Sequence, residues 1–86
     1  MKFITTARFE RAYKACPAEV KLKIKDCLQN LSRDWRYSSL HTKKIKGTSD
    51  IREARVSLDY RLTFQISEGV LLLRNAGHHN PTSQNP

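Results

Sequence analysis

Apolar residues recur with a period of two over Tyr60–Ile66, where Leu62, Phe64 and Ile66 share one side of the chain. That spacing predicts a strand with one buried face. Ser67-Glu68-Gly69 is a short polar turn ending in the residue that most easily takes a positive φ, and Val70–Leu73 resumes an apolar run. The two runs predict an antiparallel hairpin. Ile51, Val56 and Leu58 add the apolar positions of a preceding strand, so Asp50–His79 reads as three strands. Upstream the period changes. Phe9, Ala12, Tyr13 and Cys16 form a helical stripe that Thr5 or Thr6 can cap, and Pro17 either interrupts this helix or opens the next. A second helix from about Pro17 to Leu31 places Val20, Ile24, Cys27, Leu28 and Leu31 on one face. Lys2–Thr5 reads as a short leading strand whose direction in the sheet periodicity does not fix. From Asn80 to Pro86 the chain is polar and proline-bearing, which predicts a frayed tail without a helix. The result is an α+β domain over residues 1–80, a helical hairpin laid on a mostly antiparallel sheet, followed by a flexible tail over 81–86.

Length and charge narrow this picture. At 86 residues the chain suits one domain with a modest core, which gains from a partner. Sixteen Lys and Arg against eight Asp and Glu give a formal charge of +8, a balance that steers a protein towards polyanions or an acidic partner. No run approaches the roughly 18 apolar residues of a membrane span, and MKFITTARFERAY lacks the sustained apolar segment of a secretory signal. Cys16 and Cys27, about three turns apart in a helical region, suit neither a disulfide within one helix nor a short metal pair. They are expected to be core thiols in a reducing compartment, and the protein to be cytoplasmic.

The chemistry concentrates in three places. The connection RDWRYSS sets Trp35 and Tyr37 between arginines, where an aromatic face either stacks on bases or plugs the edge of the core. LHTKKIKG brings His41, Lys43, Lys44 and Lys46 together between the apolar anchors Leu40 and Ile45, a loop suited to holding phosphate. Arg52, Arg55, Arg61 and Arg74 flank the predicted core, and His78 and His79 emerge where the last strand ends at Gly77. No glycine-rich nucleotide fingerprint or CxxC pair is present, so no cofactor is expected; a metal site would need His41 or an acidic residue brought to His78 or His79 by folding. These residues fit metal-independent cleavage of RNA through the ribose 2′-hydroxyl. Histidine suits proton transfer near neutrality, and arginine and lysine stabilise charge growing on the phosphate. Arg55 or Arg61 can equally pair with Glu53 or Asp59 on the sheet.

The units LHTKKIKG, IREARVSLDYRLTFQI and LLLRNAGHH, in that order and spacing, resemble the bacterial RelE/ParE toxin superfamily. The resemblance covers about half the chain, and the preceding helical hairpin fits the same RelE-like architecture. It implies a small toxin of a type II toxin–antitoxin system; active members cut mRNA in the ribosomal A site, and others poison DNA gyrase. Within the superfamily REARVSLD is similar to the RExHIxxD-like run of the YafQ-type ribosome-dependent endonucleases. Arg55 then stands where that subgroup has a histidine and RelE-type toxins have an active-site arginine. Asp59 matches an acidic site residue, Lys43 another YafQ-type histidine position, and His79 the histidine near the C-terminus. The superfamily often has a tyrosine or phenylalanine shortly after that histidine, and this chain has NPTSQNP in its place.

What the resemblance implies for the site is His79 as the main proton-transfer residue with His78 as its substitute, and Arg55 on the scissile phosphate. Lys43 and Lys46 would position RNA and Lys44 would face ribosomal RNA; independently of the resemblance, Trp35 is a candidate RNA contact by base stacking. Asp59 either orients a basic group or forms a surface ion pair. Arg61 is either a second phosphate contact or a brace of the sheet through Glu53. The expected partners are a cognate acidic, partly disordered antitoxin, the 70S ribosome and mRNA, with a heterotetramer or larger toxin–antitoxin assembly. A gyrase poison and an inactive antitoxin-binding module are the competing readings.

Overall fold

The computed structural model describes residues 2–48 and 50–86. Ser49, in the expected turn Thr48–Asp50, lies outside them. In chain order the elements are β1 (Lys2–Thr5), α1 (Ala7–Ala15), α2 (Ala18–Arg33), a 3-10 turn (Ser38–Leu40), β2 (Lys43–Lys44), β3 (Arg52–Arg55), β4 (Tyr60–Ser67), β5 (Val70–His78) and α3 (His79–Gln84). The strands form one sheet in the order β1-β5-β4-β3-β2. β1 runs parallel to β5 and every other neighbouring pair is antiparallel, so the architecture is the expected α+β one.

Each helix starts where the chain supplies a boundary. Thr6 caps α1: its hydroxyl accepts from the Phe9 N–H at 3.0 Å and donates to the Arg74 carbonyl at 3.0 Å, tying the helix start to β5. Such a cap stabilises by about 1 kcal/mol. Pro17 stands immediately before α2, whose buried stripe is Val20, Ile24, Cys27 and Leu31. These side chains, with Phe9, pack on Ala54, Leu62, Phe64, Leu71, Leu73 and Ala76 from the three central strands. Burial of each large apolar side chain contributes roughly 1.5–3 kcal/mol.

Glu68 and Gly69 both take positive φ, +50° and +76°, which gives the tight β4–β5 hairpin the twist its strands require. The pairing then slips by one residue. Thr63 faces Asn75 but Phe64 faces Leu73, leaving Arg74 without a partner on β4. This bulge re-aims β5 so that Ala76 joins Leu71 and Leu73 in the core although the intervening spacing is odd.

Two expectations are corrected here. The tail is not frayed from Asn80: His79–Gln84 form α3, and the residues after it remain bonded to the sheet. Thr63 Oγ1 and Arg74 Nε donate to the Pro86 carbonyl at 3.1 and 3.2 Å, and Asn75 Nδ2 donates to the Asn85 carbonyl at 2.9 Å. The helix went unread because hydrogen bonds to the sheet's polar face hold it, with Thr82 its buried residue. Gly77 permits the approach, since a β-carbon there would sit 2.9 Å from Thr82 Oγ1. Second, the lysine loop contains a strand, β2, too short for periodicity to reveal. As expected, Cys16 and Cys27 belong to different helical segments, Cys16 at the end of α1 and Cys27 within α2, both as free thiols.

Candidate active site

Strand register sorts the side chains of the sheet onto two faces. The pairs Ala54–Leu62, Leu62–Ala76 and Phe64–Leu73 face the helical hairpin. The alternate positions pair Lys43 with Glu53, Glu53 with Thr63, and Arg55 with Arg61, so charged residues from three strands occupy the opposite face. α3 covers one end of that face. Two adjoining clefts result. One, of about 450 Å³, is lined by His41, Thr42, Lys43, Glu53, Arg55, Arg61 and His79. The other, of about 300 Å³, includes Lys43, Lys44, Lys46, Glu53, His79 and Ser83. Lys43, Glu53 and His79 border both.

Glu53 is the hub of this arrangement and only 2% exposed. Its Oε1 lies 3.4 Å from Lys43 Nζ and 3.9 Å from His79 Nε2, and its Oε2 accepts a hydrogen bond from Ser83 Oγ. A buried carboxylate is tolerated when it is paired and bonded in this way. Of the alternatives open for Arg55 and Arg61, pairing with Glu53 is not the one adopted: Glu53 pairs with Lys43 and lies beside His79. Arg61, also buried, braces a turn instead: its Nη1 donates to the carbonyls of Ser57, Leu58 and Tyr60 at 2.6, 3.2 and 2.9 Å. Its guanidinium still borders the larger cleft. Arg55 lines that cleft too, with a buried Nε that has no hydrogen-bond partner.

The two histidines part company. His78 ends β5, where its ring lies 4.5 Å from that of Tyr60 and its Nε2 is 3.4 Å from the tyrosine hydroxyl. It lines neither cleft. His79 begins α3, and its N–H donates to the Asp59 carbonyl at 2.8 Å. Asp59 thus meets His79 through its main chain, and its side chain lines neither cleft. Trp35 packs against the core between Arg36 and Arg52, whose guanidinium carbons lie 4.9 and 4.7 Å from its ring centroid. It stands apart from both clefts. Of the three lysines, all border the smaller cleft, and Lys43 borders both.

Sequence reasoning placed His41 in a basic loop and weighed it as a metal ligand but not as a proton-transfer group, took Glu53 as a surface partner, and overlooked Ser83. His41 adopts a left-handed conformation, φ 48°, immediately after the 3-10 turn, a placement that brings a second imidazole to the larger cleft. An uncommon backbone conformation at a chemically capable residue is a signal only the structure displays. Among the described residues no group of three or more His, Cys, Asp or Glu side chains is arranged to hold a metal ion.

No family model matches the chain, and no curated protein matches it in sequence. Solved structures do match it in fold. The YoeB/ParE toxin from Agrobacterium tumefaciens superposes with a TM-score of 0.79 at 21% identity, covering 92% of this chain and 99% of that one. YafQ from E. coli strain BL21(DE3) gives 0.76 at 15% identity over 93% and 94% of the two chains. A chain of the RelB-RelE antitoxin-toxin complex from Methanococcus jannaschii gives 0.74 at 19% identity over 87% and 88%. The chain therefore has the RelE/ParE/YoeB/YafQ toxin fold.

Proposed function

We propose that this protein is the toxin of a toxin–antitoxin pair and an endoribonuclease that cuts mRNA in the ribosomal A site through the ribose 2′-hydroxyl. The observation that carries the proposal is the larger cleft, where His41, His79, Arg55, Arg61 and Lys43 converge on a volume able to receive a phosphodiester. In the reaction the 2′-oxygen bonds to phosphorus and the bond from phosphorus to the 5′-oxygen breaks, giving a 2′,3′-cyclic phosphate and a free 5′-hydroxyl. One proton leaves the 2′-hydroxyl and one reaches the departing 5′-oxygen. His79 is the main proton-transfer group, and His41 lies in the same cleft for the complementary transfer. Arg55 lines the cleft and sets its fixed positive charge beside the phosphate, whose developing negative charge a guanidinium stabilises. Arg61, anchored by the turn carbonyls, adds fixed positive charge behind it.

The lysines of β2 and its following turn position the RNA backbone, with Lys43 and Lys46 directed at the message and Lys44 at ribosomal RNA. His78, engaged with Tyr60, is held away from this chemistry. A cytoplasmic location and an acidic antitoxin follow from the same reading: a partner of opposite charge neutralises the +8 chain and covers the cleft. The test is to map mRNA 5′ ends on translating ribosomes with the purified protein. New ends at a fixed A-site position, bearing 5′-hydroxyls, support the proposal. Absence of cleavage together with gyrase-linked DNA breaks would replace it with the gyrase-poison reading.

A further inference from the structure

A carboxylate does not belong in a phosphate site on electrostatic grounds alone. Glu53 nevertheless occupies the wall between the two clefts, nearly inaccessible, with three side chains from two elements directed at it: Lys43 from β2, and His79 and Ser83 from the start and the following turn of α3. Its own strand, β3, is the one element flanked on both sides by cleft-lining strands. Because α3 has little apolar surface of its own to bury, the Ser83–Glu53 bond fixes the helix against the sheet, and with it the imidazole that begins the helix.

We infer that Glu53 is the positioning residue of this cleft: clamped through Oε2 by Ser83, it gathers His79 and Lys43 about Oε1 so that imidazole and ammonium address one anion. It neither touches RNA nor transfers a proton. This inference rests on the endonuclease reading, and it predicts an unusual division of effects. Removing a negative charge beside a polyanion strengthens binding, whereas losing the geometry of a proton-transfer group slows chemistry, by about 10-fold to 10²-fold for a small misplacement.

The experiment compares wild type, Glu53→Gln and Ser83→Ala in single-turnover cleavage of mRNA on programmed ribosomes, varying protein concentration. Glu53→Gln keeps the size of the side chain and an acceptor for Ser83. The expected result is a maximal rate about 10-fold or more below wild type, with a half-saturating concentration equal to or below that of wild type. Ser83→Ala, which retains the charge, should lower the rate in the same direction by less. A Glu53→Gln protein that cleaves at the wild-type rate overturns the inference, as does one whose loss lies wholly in affinity. In parallel, the ring resonances of His79 are followed by NMR. Glu53→Gln should shift the His79 Cε1–H signal while the sheet amides stay in place; an unmoved His79 ring overturns the inference. Should wild type cleave nothing, the endonuclease reading fails, and the NMR comparison still decides whether Glu53 positions His79. If Glu53→Gln does not fold, Ser83→Ala carries both readouts.

Discussion

The two faces of the sheet are written by the same strands at alternate positions and do opposite work. On the face under the helical hairpin, Ala54, Leu62, Phe64, Leu71 and Leu73 are almost completely buried and carry no charge. On the other, Lys43, Glu53, Arg55 and Arg61 pair across three strands, and a short polar helix covers only one end. Stability therefore resides mainly in one face, and the proposed chemistry in the other. The sheet supplies the rigid frame between them, so a charge cluster that would be costly to hold on a loop is fixed by hydrogen-bonded register.

The sharpest way to break this division is to cut into the apolar face. Phe64→Ala should cost about 3–5 kcal/mol, read as a lower denaturant midpoint, and should abolish activity only through unfolding. If its folded fraction were also inactive, the two faces would not be separable. Next in size is His79→Ala on the polar face. Ribosome-dependent cleavage should fall by about 10²-fold or more, equivalent to about 2.7 kcal/mol in the barrier, with the denaturant midpoint nearly unchanged and antitoxin affinity altered far less. A folded variant that cleaves normally would refute the role given to His79. Arg55→Ala belongs beside it: lost cleavage with retained folding identifies a phosphate contact, whereas unfolding assigns the residue to the frame.

A smaller effect tests the junction of the faces. The β-carbon introduced by Gly77→Ala meets Thr82 Oγ1 and should loosen α3, costing about 1–2 kcal/mol. Amide exchange should accelerate first in His79–Gln84, and exchange spread evenly over the sheet would contradict the local role. The subtlest test concerns the apolar side. Burial pushes the Cys27 thiol up to about 12 from an ordinary 9.0. The folded state thus keeps its proton where the unfolded chain loses it. The stability associated with the neutral thiol is fully present below pH 9 and declines as pH rises towards 12. Replacing Cys27 with Ala should flatten that part of the stability–pH curve relative to wild type, measured by chemical denaturation; identical slopes would show that the thiol is not shielded.

By itself the sequence determined the elements whose signal is local and repetitive. A period of two exposed β4, the i, i+3, i+4 stripe exposed both helices, and Ser67-Glu68-Gly69 marked the hairpin turn, because each pattern reflects burial of one face of a regular element. The presence of His79 and Arg55 at one end of the sheet was also legible, since strand ends and spacing place them there. Only the tertiary structure decided which polar groups meet. Among the partners the sequence left open, Glu53 meets Lys43, His79 and Ser83 because register and the α3 contact set its neighbours, and register leaves no trace in composition. α3 itself was hidden for the same reason: its docking rests on hydrogen bonds to the sheet, and a helix without an apolar stripe gives periodicity nothing to detect.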